Sequence, residues 1–487
     1  MSSRRWLFVC SCIALITSAF TFSVRGDIMQ NMGDSFGFTQ EQKGQIEGDV
    51  FLGMALSMVV GGFICDLLGM KRIMYLALAS HLFGTLGTIF ASRLSVPLES
   101  ALGENTTYYW LRAVSLLMGC GNGFTEVAIN PLIATLYSDK KTHYLNILHA
   151  WWPGGLVIGG LSASLGVRAL YKPPATGVFG LELWQASLCL IVIPSIVYGL
   201  MLIPARFPKT ERVASGVSSA DMFKECFRPM FLLWAVCMLM TAATELGPQK
   251  WQNSVMEGTA GVSGTMILVY TSGMMFVLRH FAGPIAHMIS PVGLMAVSSL
   301  LAGIGLYLLS FADSAITAFG FATVYGLGIA YFWPTMLGVT AERFPKGGAL
   351  AMALMGSVGN LSISQVTPLM GRIVDTYAVK FVDTEASPTI ASEILKKNDQ
   401  GVPIAVNVDA IKKFPEGSEQ AKIASAAQAD GYRWAFRWVA LMPVALVVLF
   451  TGIFLYDRSR GGYKPEILLS REEENELYSG GAQGPME

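Results

Sequence analysis

Apolar runs long enough to cross the roughly 30 Å hydrocarbon core of a bilayer as helices recur through this 487-residue sequence. They lie near 6–26, 46–68, 73–92, 109–137, 144–168, 184–204, 229–250, 265–288, 292–311, 315–338, 348–372 and 432–456. Inside lipid no water is available to backbone N–H and C=O groups, so such runs fold as helices that satisfy their own hydrogen bonds. The expectation is an all-α membrane protein of twelve transmembrane helices. Charged residues make up 14% of the chain against about 25% in an average soluble one, which fits. The opening Met1-Ser2-Ser3-Arg4-Arg5 reads as the positive flank of the first span; a twin-arginine signal lacks a small-residue cleavage site behind it.

Lys and Arg set the expected orientation, because short cytoplasmic loops carry their excess. Arg4, Arg5, Lys71, Arg72, Lys140, Lys141, Arg206, Lys209, Arg212, Lys224, Arg228, Arg343, Lys346, Arg458, Arg460 and Lys464 fall on one side of the spans. Lys43, Arg93, Lys172 and Lys250 fall in short loops on the other, so both termini are expected in the cytoplasm of a multi-pass cell (plasma or inner) membrane protein. Two polar stretches then divide the chain: 1–204 as a first six-helix bundle, 205–228 as a cytoplasmic central loop, 229–456 as a second bundle, and 457–487 as a disordered cytoplasmic tail. Residues 373–431 interrupt the second bundle as an extracytoplasmic insert, either a small ordered unit or a mobile segment.

One segment demands a reason. Gly119-Cys120-Gly121-Asn122-Gly123-Phe124-Thr125-Glu126 sets a carboxylate inside an apolar run. An ionised acid at mid-membrane costs about 2.5–3.5 kcal/mol even on lenient scales, so it faces a cavity, a partner or a proton path. The glycines let a neighbouring helix approach closely. Low dielectric disfavours the charged form of a carboxyl, the property a proton carrier uses; a structural acid paired with a base such as Arg112 is the competing account. Further cavity candidates are Asn130, Asn146, His149 and Trp152 in the first half, and Glu245, Gln249, Trp251 and Trp333 in the second. Gly247-Pro248 is expected to break helix seven there, as in the discontinuous helices that line many sites. Each candidate also has a plainer reading: Asn and His bridge helices, Trp packs or sits in an aromatic belt. Glu47 and Asp49 read as a solvated first turn of helix two, or as acids neutralising Arg25. His81, Arg279, His280 and His287 read as helix-end or gate residues.

The halves echo one another. Gly62-Phe63-Ile64-Cys65-Asp66 can be laid on Gly283-Pro284-Ile285-Ala286-His287, and Pro131 with Lys140 on Pro334 with Arg343. Parallel repeats of this kind place a substrate site between the bundles near the midplane. Gly62-x-x-x-Asp66-x-x-Gly69-x-Lys71-Arg72 resembles the loop motif of the major facilitator superfamily, in which it gates; Asp66 is expected to lock that gate rather than to touch substrate. Arg25-Gly26-Asp27-Ile28, Gly121 through Glu126 to Asn130-Pro131, Leu145-Asn146, His280 to Gly283 and Trp333-Pro334-Thr335 resemble the fucose permease and glucose/galactose transporter branch. That resemblance covers the core but neither the insert nor the tail. It implies two pseudo-symmetric six-helix bundles, and roles in sugar recognition and proton coupling for Asp27 and Glu126. Where the branch carries a substrate-contacting Asn in helix five, this chain has Trp152.

Other classes are poorly served. No P-loop, H-E-x-x-H or nucleophile elbow appears, so neither an ATP motor nor an enzyme is expected. The seven cysteines form neither an extracytoplasmic disulfide framework nor paired metal ligands, and no cofactor or metal is expected. Lys+Arg and Asp+Glu balance at 34 each, so nothing argues for nucleic acid. The sequence therefore reads as a monomeric secondary transporter in the lipid bilayer, moving a small molecule such as a monosaccharide together with a proton. Sodium coupling or facilitated passage is the alternative within transport. A non-transporting receptor on a carrier fold, and an intramembrane hydrolase using His149 and a serine, are the alternatives outside it.

Overall fold

The computed structural model of this chain describes residues 4–38, 40–99, 105–167, 169, 180–397, 400–407, 414–415, 417–466 and 468; inside helices, the side chains of residues 27, 30, 34, 40, 41, 253, 254, 265 and 287 lie outside that description. The tail beyond 468 and Lys172 also lie outside it. The first bundle runs α1 (Arg4–Ser35), α2 (Gln40–Leu68), α3 (Met70–Ile89), α4 (Thr106–Leu136), α5 (Lys141–Leu161) and α6 (Leu183–Leu202). The second runs α7 (Pro229–Ala260), α8 (Gly264–Arg279, resuming as Ala282–Ile289), α9 (Pro291–Leu309), α10 (Ala315–Ile329, resuming as Phe332–Arg343), α11 (Gly348–Glu385) and α12 (Glu419–Val439, resuming as Leu441–Ser459). Among the described residues, eight helices are long and apolar enough to span by themselves, and α3 joins them if its 85° bend into Ala91–Leu98 is one broken span. Neither α4 nor α5 is among them. They carry Glu126, Asn130, Asn146 and His149, so the polar site itself dilutes their hydropathy.

Close helix crossing explains the glycine-rich run of α4. A Cβ on Gly119 would lie 2.0 Å from the Val50 carbonyl oxygen, and one on Gly53 of α2 would lie 2.0 Å from the Leu116 oxygen. Backbones at that separation exclude any side chain, as small-residue seams between membrane helices require. Inside the first bundle, His81 of α3 bridges Tyr198 Oη of α6 and Asn122 Oδ1 of α4, each at 3.0 Å, and the Asn122 amide donates to Thr21 of α1 at 2.9 Å. His81 is thus a mid-bundle strut, not a helix-end residue.

Several boundaries differ from the sequence expectation. Helix α7 passes through Gly247-Pro248 without a break, because one lost hydrogen bond is tolerated where neighbouring helices support the backbone; Gly247 packs against Val366 and Met370 of α11. The interrupted helices are α8, α10 and α12. Helix α2 starts at Gln40, so Lys43, Glu47 and Asp49 are helical rather than in a loop or first turn, and Lys250 lies within α7. The insert is ordered over its described part. Helix α11 continues to Glu385 and α12 begins at Glu419, with a short helix (Pro388–Ile394) and the antiparallel pair β1 (Leu395–Lys397) and β2 (Pro403–Val406) between them. Ala378, Val382, Ile390, Ile394, Leu395, Val406, Ala424 and Ala427 form its own small core.

Candidate functional site

The two bundles are bolted together at the end that carries the start of α1, the central linker and the close of α12. Asp66, closing α2, accepts from Arg212 Nε at 2.6 Å and from Thr210 Oγ1 at 2.7 Å, both on the linker. Gly69 turns the chain with a positive φ of 89°, a conformation that L side chains rarely adopt. Lys71 Nζ donates to the Ala205 carbonyl at 2.6 Å, Arg72 to Leu68 O at 3.2 Å, and a Cβ on Gly62 would stand 2.7 Å from that of Ala353 on α11. Lys141 of α5 pairs with Glu211 at 2.5 Å, while Glu342 of α10 accepts from both the Thr142 backbone N–H and its hydroxyl, at 3.0 and 2.7 Å. Asn146 donates to Thr335 across the halves at 3.2 Å. Asp66, Lys141, Thr142, Asn146, Arg212 and Glu342 have buried side chains, while Lys71 is half-buried and Arg72 exposed. Asp66 is the most enclosed charge of this lock, whereas Lys71 reaches only the start of the linker and Arg72 only its own turn.

Above the lock lies a polar cluster. Asn130 Nδ2, one turn along α4 from Glu126, donates to Glu126 Oε2 at 2.7 Å, and His149 Nε2 of α5 stands 3.0 Å from Asn130 Oδ1 and 3.7 Å from Glu126 Oε2. Arg279 of α8 joins the bundles: its Nη1 donates to the His149 carbonyl at 2.7 Å, its Nε to the Ala330 carbonyl at 2.7 Å and its Nη2 to Glu245 Oε1 of α7 at 3.1 Å. Glu126, His149, Glu245 and Arg279 are all at most 4% exposed. Among the described residues, Glu245 Oε2 has no hydrogen-bond partner. The guanidinium thus pairs with one carboxyl, Glu245, while Glu126 is held by Asn130 and His149.

Arg112 is not the partner of Glu126, since it forms a two-pronged pair with Asp49 at 2.7 and 3.1 Å. Arg25 pairs with Glu47 at 2.9 Å and donates to Ser115 at 3.1 Å, so both acids are paired, Asp49 buried and Glu47 half-buried.

Beyond the cluster the facing surfaces open. Lys250 is exposed, although its ammonium lies 4.9 Å from the ring centre of Phe51 and 5.8 Å from that of Phe22, both in the other bundle. Trp152 packs on Phe22 with centroids 5.1 Å apart, and Trp151 meets Phe276 edge-on at 5.3 Å. These rings are half-buried, so they wall an open space between the bundles.

Of the sequence candidates, Glu126, Asn130, His149 and Glu245 converge on the cluster, Asn146 belongs to the lock, and Trp152 lines the space. Trp333 is buried against Gly356 and Gly359 of α11. Trp251 donates to the Thr367 carbonyl at 3.2 Å, and Gln249 Nε2 lies 3.8 Å from Met275 Sδ; both turn to their own bundle. Asp27 is on α1, but its side chain is outside the described residues. Arg279 closes the first segment of α8, the helix end expected of it, and that end lies inside the eighth span.

The sequence profile described as Major Facilitator Superfamily matches residues 7–367. The chain belongs to that superfamily. Among solved structures, this Major Facilitator Superfamily protein is similar in fold to the transporter FucP in its outward conformation, with TM-score 0.62, 14% identity, and coverage of 91% of this chain and 98% of that one. It is also similar to the proton:xylose symporter XylE bound to 6-bromo-6-deoxy-D-glucose, with TM-score 0.67, 12% identity, and coverage of 98% and 99%. A curated relative, the cis,cis-muconate transport protein of Acinetobacter baylyi, is 22% identical over 73% of this chain and 86% of its own length. As a superfamily member the chain is a multi-pass membrane transporter.

Proposed function

We propose that this transporter is a proton-coupled symporter of a small hydroxylated solute of monosaccharide size, working by alternating access. The observation that carries the reading is the placement of Glu126. It is desolvated between the bundles, its hydrogen-bond partner is the neutral Asn130, and it stands beside the Arg279–His149 contact that joins them. Keeping an unmatched anion there costs free energy, so a proton on Glu126 favours the reorienting form, and hydration of the cluster from the opposite side releases it. Asn130, His149 and Trp152 offer hydrogen bonds and an apolar face of the kinds that sugars use. Asp27 is the second acid proposed for this work. Substitution Glu126→Gln in proteoliposomes tests it: counterflow should persist while accumulation driven by a pH gradient is lost. Unchanged accumulation, or accumulation that follows a sodium gradient in the wild type, refutes proton coupling through this residue.

A second reading, a carboxylate substrate, is favoured by Lys250, whose ammonium faces the same space.

A further inference from the structure

The charges around the central space sort into pairs with two left over. Arg25 is matched by Glu47, Arg112 by Asp49 and Arg279 by Glu245. Among the described side chains, the remaining two are Glu126 and Lys250. Lys250 has no carboxylate within ion-pair distance among the described residues, and Glu47, the nearest acid to act on it, is taken by Arg25. Its ammonium instead projects from α7 across to the aromatic wall of Phe22 and Phe51. It is exposed, and it lies five residues beyond Glu245 on the same helix, roughly 7 Å further toward the open end at 1.5 Å per residue.

A neutral sugar gives this cation nothing to do. It would also leave the proton-loaded carrier with Lys250 as a net positive charge to be carried through low dielectric, which is unfavourable. An anionic substrate removes the difficulty. With the carrier empty, ionised Glu126 balances Lys250. With the carrier loaded, the substrate carboxylate balances Lys250 while a proton neutralises Glu126. Over the described side chains, the net charge of the central region is then zero in both reorienting forms. The aromatic wall supplies an apolar face beside the cation, suited to the ring of a sugar acid.

We infer that the substrate is a monocarboxylate of sugar size, a uronate or related hydroxy acid, bound through its carboxylate by Lys250, and that it is carried with one proton in an electroneutral cycle. No covalent step is involved: one proton and one carboxylate cross together. This rests on the proton-coupled reading above and deepens it. The groups facing Glu126 are Asn130, His149 and Arg279; those facing Lys250 are Phe22, Phe51 and Glu47. The charge balance covers the described side chains, and Asp27 lies outside them.

The test uses the purified full chain in two arms. In detergent, D-glucuronate and D-galacturonate are compared with D-glucose and D-galactose by thermal shift, since only a ligand that prefers the folded state raises stability. The uronates should bind about 10- to 100-fold more tightly, the range of one charge-assisted hydrogen bond. Lys250→Gln should abolish that preference and Lys250→Arg should keep most of it. In proteoliposomes, uronate uptake should follow an imposed pH gradient and ignore a potassium diffusion potential set with valinomycin. Equal or better binding of the neutral sugars by the wild type overturns the inference, even if the variants fail to fold. So does uptake accelerated by an inside-negative potential. Uronate binding that depends on Lys250, with uptake indifferent to the pH gradient, would instead overturn the proton-coupled reading and leave the carboxylate site standing.

Discussion

Replacing Asp66 by Asn removes one charge from the best-sealed ion pair of the closed end while keeping its shape. The Asp66 and Arg212 side chains are 3% and 7% exposed, with Nε and Oδ2 2.6 Å apart, so neither charge is much relieved by water. Removing one partner of such a pair costs about 3–5 kcal/mol, because the other is left buried and uncompensated. The penalty falls on the closed state alone. When the end opens, Arg212 leaves the α11 surface at Gly348, against which its side chain now packs, and is hydrated. At about 1.4 kcal/mol per tenfold, the equilibrium should move toward opening by roughly 100- to several thousand-fold. The remaining bolts at Lys141–Glu211 and Thr142–Glu342 keep the closed state dominant, so the change is in the frequency of opening. The assay places a cysteine at Ala353, buried opposite Gly62, in a background freed of the seven native cysteines. The labelling rate of detergent-purified protein by a hydrophilic thiol reagent is then measured. Asp66→Asn should raise that rate by two orders of magnitude or more. Adding Arg212→Gln, which removes the orphaned cation, should bring it part of the way back, as coupled partners require. A rate within twofold of the parent, or a double variant faster than the single one, refutes the argument.

Further outcomes follow from the same geometry. Gly119→Ala forces a methyl to within 2.0 Å of the Val50 carbonyl, so α2 and α4 must part; a loss of about 1–3 kcal/mol should appear as a lower apparent melting temperature in detergent, whereas Gly452→Ala, with open space around it, should melt like the wild type. Outside the membrane, burial pushes the Cys226 thiol up from 9.0 to about 11. Its reactive thiolate is therefore scarce below pH 9 and grows only as pH approaches 11, so alkylation at pH 8 should be slow in the folded protein and fast in denaturant; equal rates would contradict the packing of the linker helix. The Glu126→Gln and Lys250 substitutions described above complete the set, the first separating counterflow from accumulation and the second separating anionic from neutral sugars.

Much of the site was legible in the sequence, but most of its pairings were not. Glu126 stood out because an acid in an apolar run is costly, and the glycines beside it announced the crossing with α2 that the structure contains. Asp66 was read as a lock from its place at the end of a span. Arg279 reads as a helix-end residue and does close the first segment of α8; its contacts with His149 across the bundle boundary and with Glu245 are what the sequence could not show. Lys250 was misplaced because helix α7 runs ten residues past the apolar run, so a residue read as a loop cation sits on a helix face. Neutralisation of Arg25 by one of Glu47 and Asp49 is among the sequence expectations, and Glu47 does it; Asp49 instead takes Arg112, 63 residues away, a contact that no local spacing encodes.

The sequence by itself determined that this chain spans the membrane many times as helices, because lipid leaves its backbone no other way to satisfy its hydrogen bonds. It also determined that an acid would be buried in the fourth helix and that the first bundle would pack through glycine. Tertiary structure alone decided which charges neutralise one another. Ion pairing depends on distances of a few ångströms between helices far apart in the chain, and those distances fix which acid and which cation are left to meet a proton and a substrate.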